Sequence, residues 1–264
     1  MKKIFMGAIT CALLFTACKK EEVEITEDDS TTTQSNLVEI ASNVNSSNQT
    51  IKLFAEDSQL TTGYNNLYVT VQDDNGNIVT PSSISYSPLM TMSTMSHACP
   101  VEQPIYDAVS GKYKGALVFT MSSMGGDWTL GVVVDGVQVI FDLTVAGAPT
   151  KMVGVYTGTD GKVYVVSLLR PVSWEVGMND IEVLIHRKES MMSFPAEDSF
   201  TIQMEPEMIS MEHGSPNNVD PVHIGNGHYN GDVNFTMTGD WRIHLKLNQN
   251  GTEIHSDAFL DILF

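Results

Sequence analysis

Cysteine is nearly missing from this chain, with three residues in 264, at Cys11, Cys18 and Cys99. Positive charge is scarce as well: 14 Lys and Arg face 32 Asp and Glu, for a formal net charge of −18. Long helical periodicity is missing throughout, and no apolar run is long enough to be a comfortable transmembrane helix. Each absence excludes something. Cys11 and Cys18 fall in an N-terminal leader, so Cys99 stands alone, no disulfide can form within a domain, and the fold must rest on its core. So large an acidic excess excludes nucleic acid and an anionic bilayer surface as partners, and suits a cationic or neutral one. There is no Gly-x-Ser-x-Gly elbow, phosphate-cradling glycine loop or His-Glu-x-x-His helix, and the carboxylates show no paired spacing, so an enzyme is not expected. In "DDNGN" from Asp73 the glycine comes fourth, not sixth as a calcium loop requires, and the stretch reads as a hairpin turn.

What is present begins with the leader. Lys2 and Lys3 precede a mostly apolar stretch from Ile4 to Ala17, which closes as "LFTAC" directly before Cys18. That is the pattern of a bacterial export signal, and it is similar to a lipoprotein signal in which Cys18 becomes the lipidated first residue. The expectation is a signal peptide over 1–17, then a lipidated cysteine and an acidic, Ser/Thr-rich tether over 18–50 that begins "KKEEVEITEDDSTTTQSN". Contact with the membrane would be through the lipid alone. The expected location is the bacterial envelope, as an outer-membrane lipoprotein, and the acidic run after Cys18 resembles a signal for display on the outer face.

The remaining chain is 42% apolar by composition and long enough for two domains. It also repeats itself. Adding 116 carries Met92, Met95, His97, Pro100, Gly111, Tyr113, Gly115, Phe119 and Met121 onto Met208, Met211, His213, Pro216, Gly227, Tyr229, Gly231, Phe235 and Met237 without a gap. Upstream, Gly63 and Asn65 meet Gly177 and Asn179 at an offset of 114; downstream, Asp127-Trp128 meets Asp240-Trp241 at 113. Each copy reads as short strands with Gly and Asx turns. "LYVTVQD" and "IEVLIHR" have strand length, and Asp135-Gly136 and Asn250-Gly251 suit primed turns closing a last hairpin. Trp128 and Trp241 are expected core anchors. The predicted class is all-β, with two tandem immunoglobulin-like β-sandwiches over 51–146 and 152–264.

Gly-x-Asn opening a strand, a Met/His/Pro segment, Gly-x-Tyr-x-Gly, an apolar-x-Met and Gly-Asp-Trp before a last hairpin together resemble the YtkA-like and FixH-like domains. The resemblance implies immunoglobulin-like sandwiches of the bacterial envelope, and in the FixH branch an association with copper delivery to an oxidase. FixH-like proteins carry a transmembrane helix that has no counterpart here, and the Met-Pro pair of the YtkA-like motif is not beside the histidine. The fold inference therefore carries over, and a role in oxidase assembly does not.

The repeated Met-x-x-Met-x-His-x-x-Pro poses the functional question. Thioether sulfur is a soft ligand and imidazole a borderline one, a pairing that suits copper, above all Cu(I). On an extended strand Met95 would share a face with His97, and Met211 with His213, while Met92 and Met208 faced away. Met121 and Met237, from a separate strand, are candidate third ligands. His223 and His228 lie in "HGSPNNVDPVHIGNGH", read as an ordered loop that gathers them near His213. Two readings stay open at this point: a protein that binds or buffers copper, or a non-catalytic surface module for an envelope partner in which Met and His are packing.

Overall fold

The computed structural model describes residues 37–169 and 173–264, so the expected leader, Cys18 and most of the expected tether lie outside the described residues. The described chain is all β. Its first half contains β1 (Val38–Val44), β2 (Thr50–Ala55), β3 (Leu60–Thr61), β4 (Gly63–Gln72), β5 (Ile78–Val79), β6 (Ile84–Thr91), β7 (Ser96–His97), β8 (Val101–Asp107), β9 (Lys112–Phe119), β10 (Asp127–Val134), β11 (Val137–Leu143) and β12 (Val145–Ala146). The second half contains β13 (Val153–Thr157), β14 (Val163–Leu169), β15 (Gly177–Lys188), β16 (Thr201–Met208), β17 (His213–Gly214), β18 (Val219–Gly225), β19 (His228–Phe235), β20 (Asp240–Gln249) and β21 (Thr252–Leu263). Among the described residues no helix is long and apolar enough to cross a membrane.

Each half is a sandwich of two sheets. In the first, β1-β2-β4-β9-β8 faces β11-β10-β6-β7; in the second, β13-β14-β15-β19-β18 faces β17-β16-β20-β21. β1 belongs to the first sheet and packs Ile40 and Ala41 on the core, so the first sandwich begins upstream of residue 51, inside the stretch expected to be tether. The period-two pattern explains which residues turn inward. Along β20, Trp241, Ile243, Leu245 and Leu247 are buried while the residues between them are not. Trp128 and Trp241 anchor equivalent cores, each at the rim of a ring cluster with Phe119 or Phe235. Asp135-Gly136 and Asn250-Gly251 take positive φ at both positions (49° and 84°; 51° and 77°), as a primed turn requires.

The structure explains several duplicated residues as architecture. Asn65 donates from Nδ2 to Thr61 O (2.7 Å) and Gly63 O (2.9 Å), and Asn179 does the same to Glu175 O and Gly177 O, both at 2.8 Å. Each clamps the start of a central strand. Gly115 and Gly231 let a bulged edge strand cross closely: a Cβ would come within 2.6 Å of Glu102 O in one copy and 2.5 Å of Val219 O in the other.

"YVVSLL" and "IEVLIHR" are apolar on both faces because both faces are covered. Tyr164, Val166, Ile181 and Val183 fill the second core, while Val165 and Leu184 pack from the outer face against Val118 of β9. Both sandwiches thus belong to one compact unit, Gln34–Phe264. A polar cluster completes their contact. His228 sits between two carboxylates, Nδ1 at 2.5 Å from Glu182 Oε1 and Nε2 at 2.5 Å from Glu102 Oε1 in the first sandwich, and the Tyr64 hydroxyl donates to Glu102 Oε2 at 2.6 Å.

Candidate functional site

The repeated methionine/histidine motif folds as a hairpin, where the sequence suggested an extended strand. In the first copy β6 and β7 pair Thr91 with Ser96 and Met90 with His97, and Met92 through Met95 form the turn, closed by Met92 N donating to Met95 O at 2.9 Å. Met92 consequently does not face away from Met95 and His97. In the second copy β16 and β17 pair Met208 with His213, and the turn is closed by Met211 N and Glu212 N donating to Met208 O at 3.2 and 2.9 Å. Met90 also sits opposite Trp128, and Met208 opposite Trp241. The structural equivalent of Met208 is therefore Met90, although the gapless alignment matches Met208 with Met92. Both are buried core residues. The first hairpin is two residues longer between its paired Met and His, six against four, and the extra length places a further thioether, Met92, in its turn.

Around each histidine the same framework recurs. His97 Nδ1 lies 2.8 Å from Ala98 O and His213 Nδ1 lies 3.0 Å from Gly214 O. A carbonyl only accepts, so in each case Nδ1 carries the proton and Nε2 keeps its lone pair, the state a metal ligand needs. Each ring stands edge-on to the tryptophan of its copy, with centroids 5.5 and 5.8 Å apart. The tryptophan in turn donates from Nε1 to Met121 O (2.9 Å) or Met237 O (3.0 Å), fixing the loop that carries the third candidate ligand. So the fold brings the methionine of the β9–β10 or β19–β20 connection to the histidine hairpin in both copies.

The surroundings differ. In the first copy Met92, Met95, His97 and Met121 line one cleft of about 260 Å³, joined by Met191, Phe194 and Lys188 from the second sandwich. His97 is 8% exposed, whereas Met95 and Met121, at 50% and 38%, keep their thioethers reachable. The glycines of "MSSMGGDW" make the room: a Cβ on Gly125 would come 2.9 Å from Met121 Cε, and one on Gly126 would come 2.9 Å from Met92 Cγ. The second copy has the shorter "MTGDW", a single loop methionine in its hairpin, and Met211 and His213 less covered than Met92 and His97. Cys99, near the first hairpin, is fully buried, and desolvation pushes its thiol far up, so it offers no thiolate.

The segment around His223 and His228 is not a single loop. β18 and β19 run through it in one sheet, while His213 sits on β17 in the facing sheet. His223 Nε2 is 2.9 Å from Asp198 Oδ1, and its ring lies 5.3 Å from Tyr229. In His228 both nitrogens are engaged by carboxylates; these hydrogen bonds, to Glu102 and then Glu182, outweigh burial and raise its pKa to about 9. Burial alone would raise the Glu102 carboxyl, yet the His228 and Tyr64 hydrogen bonds hold it below the ordinary range. An imidazolium locked this way has no free lone pair, so geometry assigns it to the contact between sandwiches. His186, buried beside it with Nδ1 unpartnered, is pushed down to about 4 by desolvation and stays neutral. Among the described residues no group of three or more His, Cys, Asp or Glu is placed to hold a metal. The donor set at the cleft is sulfur with one nitrogen, which fits a soft ion and not a hard one. Met191 was invisible to sequence reasoning about the repeat, because it lies between the copied motifs and reaches the first copy only through the tertiary fold.

Residues 159–246, within the second sandwich, match the YtkA-like family model. No curated protein matches the sequence. Among solved structures, the Escherichia coli adhesin FdeC is similar at 15% identity and a TM-score of 0.28, over 85% of this chain and 66% of FdeC. Invasin, a bacterial integrin-binding protein, gives 12% and 0.27 over 82% of this chain and 39% of its own. Domains 5–6 of the S-layer protein SbsC give 11% and 0.29, over 86% and 97% of the respective chains. The chain thus spans about two thirds of FdeC and well under half of invasin.

Proposed function

We propose that this protein is an envelope lipoprotein, anchored through Cys18 at the outer membrane, that binds or buffers copper as Cu(I), without enzymatic activity of its own. The observation that carries this reading is the convergence of Met92, Met95, Met121 and the free Nε2 side of His97 on one cleft, on a framework held by Trp128 and the Ala98 carbonyl. Neutral, soft donors fixed on a rigid sheet select a soft monovalent ion. Lys188 at the same cleft penalises a divalent ion more than a monovalent one. Met211, His213 and Met237 form a second, more open and weaker site. The test is a Cu(I) competition titration of wild type, Met95→Ala/His97→Ala and Met211→Ala/His213→Ala. Tight binding abolished by the first pair is expected; tight binding indifferent to both pairs would dismiss the reading.

A second reading has its own observation. The equivalent edge strands β8 and β18 both expose apolar side chains, Ile105 and Tyr106 on one, Val222 and Ile224 on the other. Such edges suit a surface module that contacts an envelope protein partner. Ile105→Asp with Val222→Asp would then abolish partner capture and leave Cu(I) binding intact.

A further inference from the structure

We propose that the metal site of the first sandwich is completed by Met191 of the second, so that the bound ion ties the two sandwiches together. This rests on the Cu(I) reading above and adds to it a ligand from outside the repeated motif and a mechanical consequence. Met191 lines the same cleft as Met95, His97 and Met121. Its backbone is fixed there, because Ala98 N, next to His97, donates to Met191 O at 2.8 Å across the boundary between sandwiches. The β15–β16 connection that presents it is shaped from within: Glu189 N donates to Ser193 O at 3.0 Å and Met192 N to Ser190 Oγ at 3.1 Å. Of its two adjacent methionines, Met192 points to solvent at 56% exposure while Met191 turns into the cleft.

A methionine there would also serve as plain packing, since thioethers fill irregular gaps well. Two facts favour coordination. The other thioethers of the cleft are not sealed in, as a packing role demands: Met95 and Met121 remain partly open. And with Met191 the cleft gathers four thioethers and one imidazole from two sandwiches, a density of soft donors that filling a gap does not require. Because the first-sandwich donors and Met191 belong to separate cores, an ion held by both links them, and its binding energy adds to the contact formed by Val118, Val165 and Leu184.

The test uses the full-length chain labelled at the methionine methyl carbons and titrated anaerobically with Cu(I), beside Met191→Leu, which keeps volume and apolarity and removes only the sulfur. The Met191 methyl resonance is expected to move together with those of Met95 and Met121 over the first equivalent. Met191→Leu should weaken that first site by about 10–100-fold, the usual range for a lost supporting contact to a metal, and leave the Met211 resonance unchanged. An unmoved Met191 resonance, or an unchanged affinity in Met191→Leu, overturns the inference; if Met95 and His97 still respond, the copper reading stands without it. If no methionine resonance moves, both fall.

Discussion

The two sandwiches are one design used twice, and the places where they differ are more informative than those where they agree. In both, an asparagine clamps a central strand, a glycine admits a bulged edge, a tryptophan anchors the core and a histidine, held by the next carbonyl, presents its Nε2. All of that survives duplication because folding demands it. The first copy then adds a longer hairpin, a Gly-Gly loop and a neighbour that overhangs it, whereas the second leaves Met211 and Met237 open, at 56% and 37% exposure. Shared features are therefore mostly architecture. The chemistry follows from what one copy has gained.

Replacing the shared anchors should erase the comparison altogether. Trp128→Ala and Trp241→Ala are each expected to cost about 3–5 kcal/mol, and by similar amounts, since both rings are buried in equivalent clusters; chemical denaturation monitored by fluorescence measures it. Next in size is the contact between sandwiches. His228→Gln should cost about 2–3 kcal/mol, because it strips a charged partner from Glu102 and Glu182. The sign of its pH dependence follows from the raised folded pKa. The stabilisation is complete below the ordinary histidine value of about 6.5 and fades as pH rises through about 9. Glu102, depressed in the fold, contributes above the ordinary carboxylate range and loses that contribution as pH falls through its folded value. His186, also depressed, adds a loss as pH falls from about 6.5 toward about 4. Wild-type stability should accordingly be highest near neutrality, and His228→Gln should flatten the alkaline side only; denaturation midpoints from acid to alkaline pH check both.

A smaller effect sharpens the difference between the copies. Gly125→Ala sets a methyl against Met121 and Met90, so it should weaken Cu(I) binding by a few-fold, on the order of 1 kcal/mol, with little change in folding. A competition titration of this variant would read it, and an unchanged affinity would mean that the Gly-Gly loop does not shape the site.

Much of the fold was legible in the sequence. The duplication, the strand lengths, the primed turns and the two core tryptophans follow from local pattern, and local pattern is what a sequence records directly. The hairpin inside the motif was not legible, because Met92 to His97 has the alternation of a strand and only the pairing of Met90 with His97 reveals the reversal. For the same reason the gapless match of Met92 with Met208 concealed a two-residue shift. His228 looked like a ligand while its two carboxylate partners were distant in sequence, and Met191 looked incidental until the second sandwich placed it beside Ala98. These are tertiary facts, and no spacing rule encodes them.

The most direct measurement is X-ray absorption at the copper edge on the chain loaded with one equivalent of Cu(I). A first coordination shell dominated by sulfur, with one nitrogen and lost sulfur scattering in Met95→Leu/Met121→Leu, is the predicted result. A shell of nitrogen and oxygen alone, unchanged in that variant, would contradict the assignment of the cleft as the copper site.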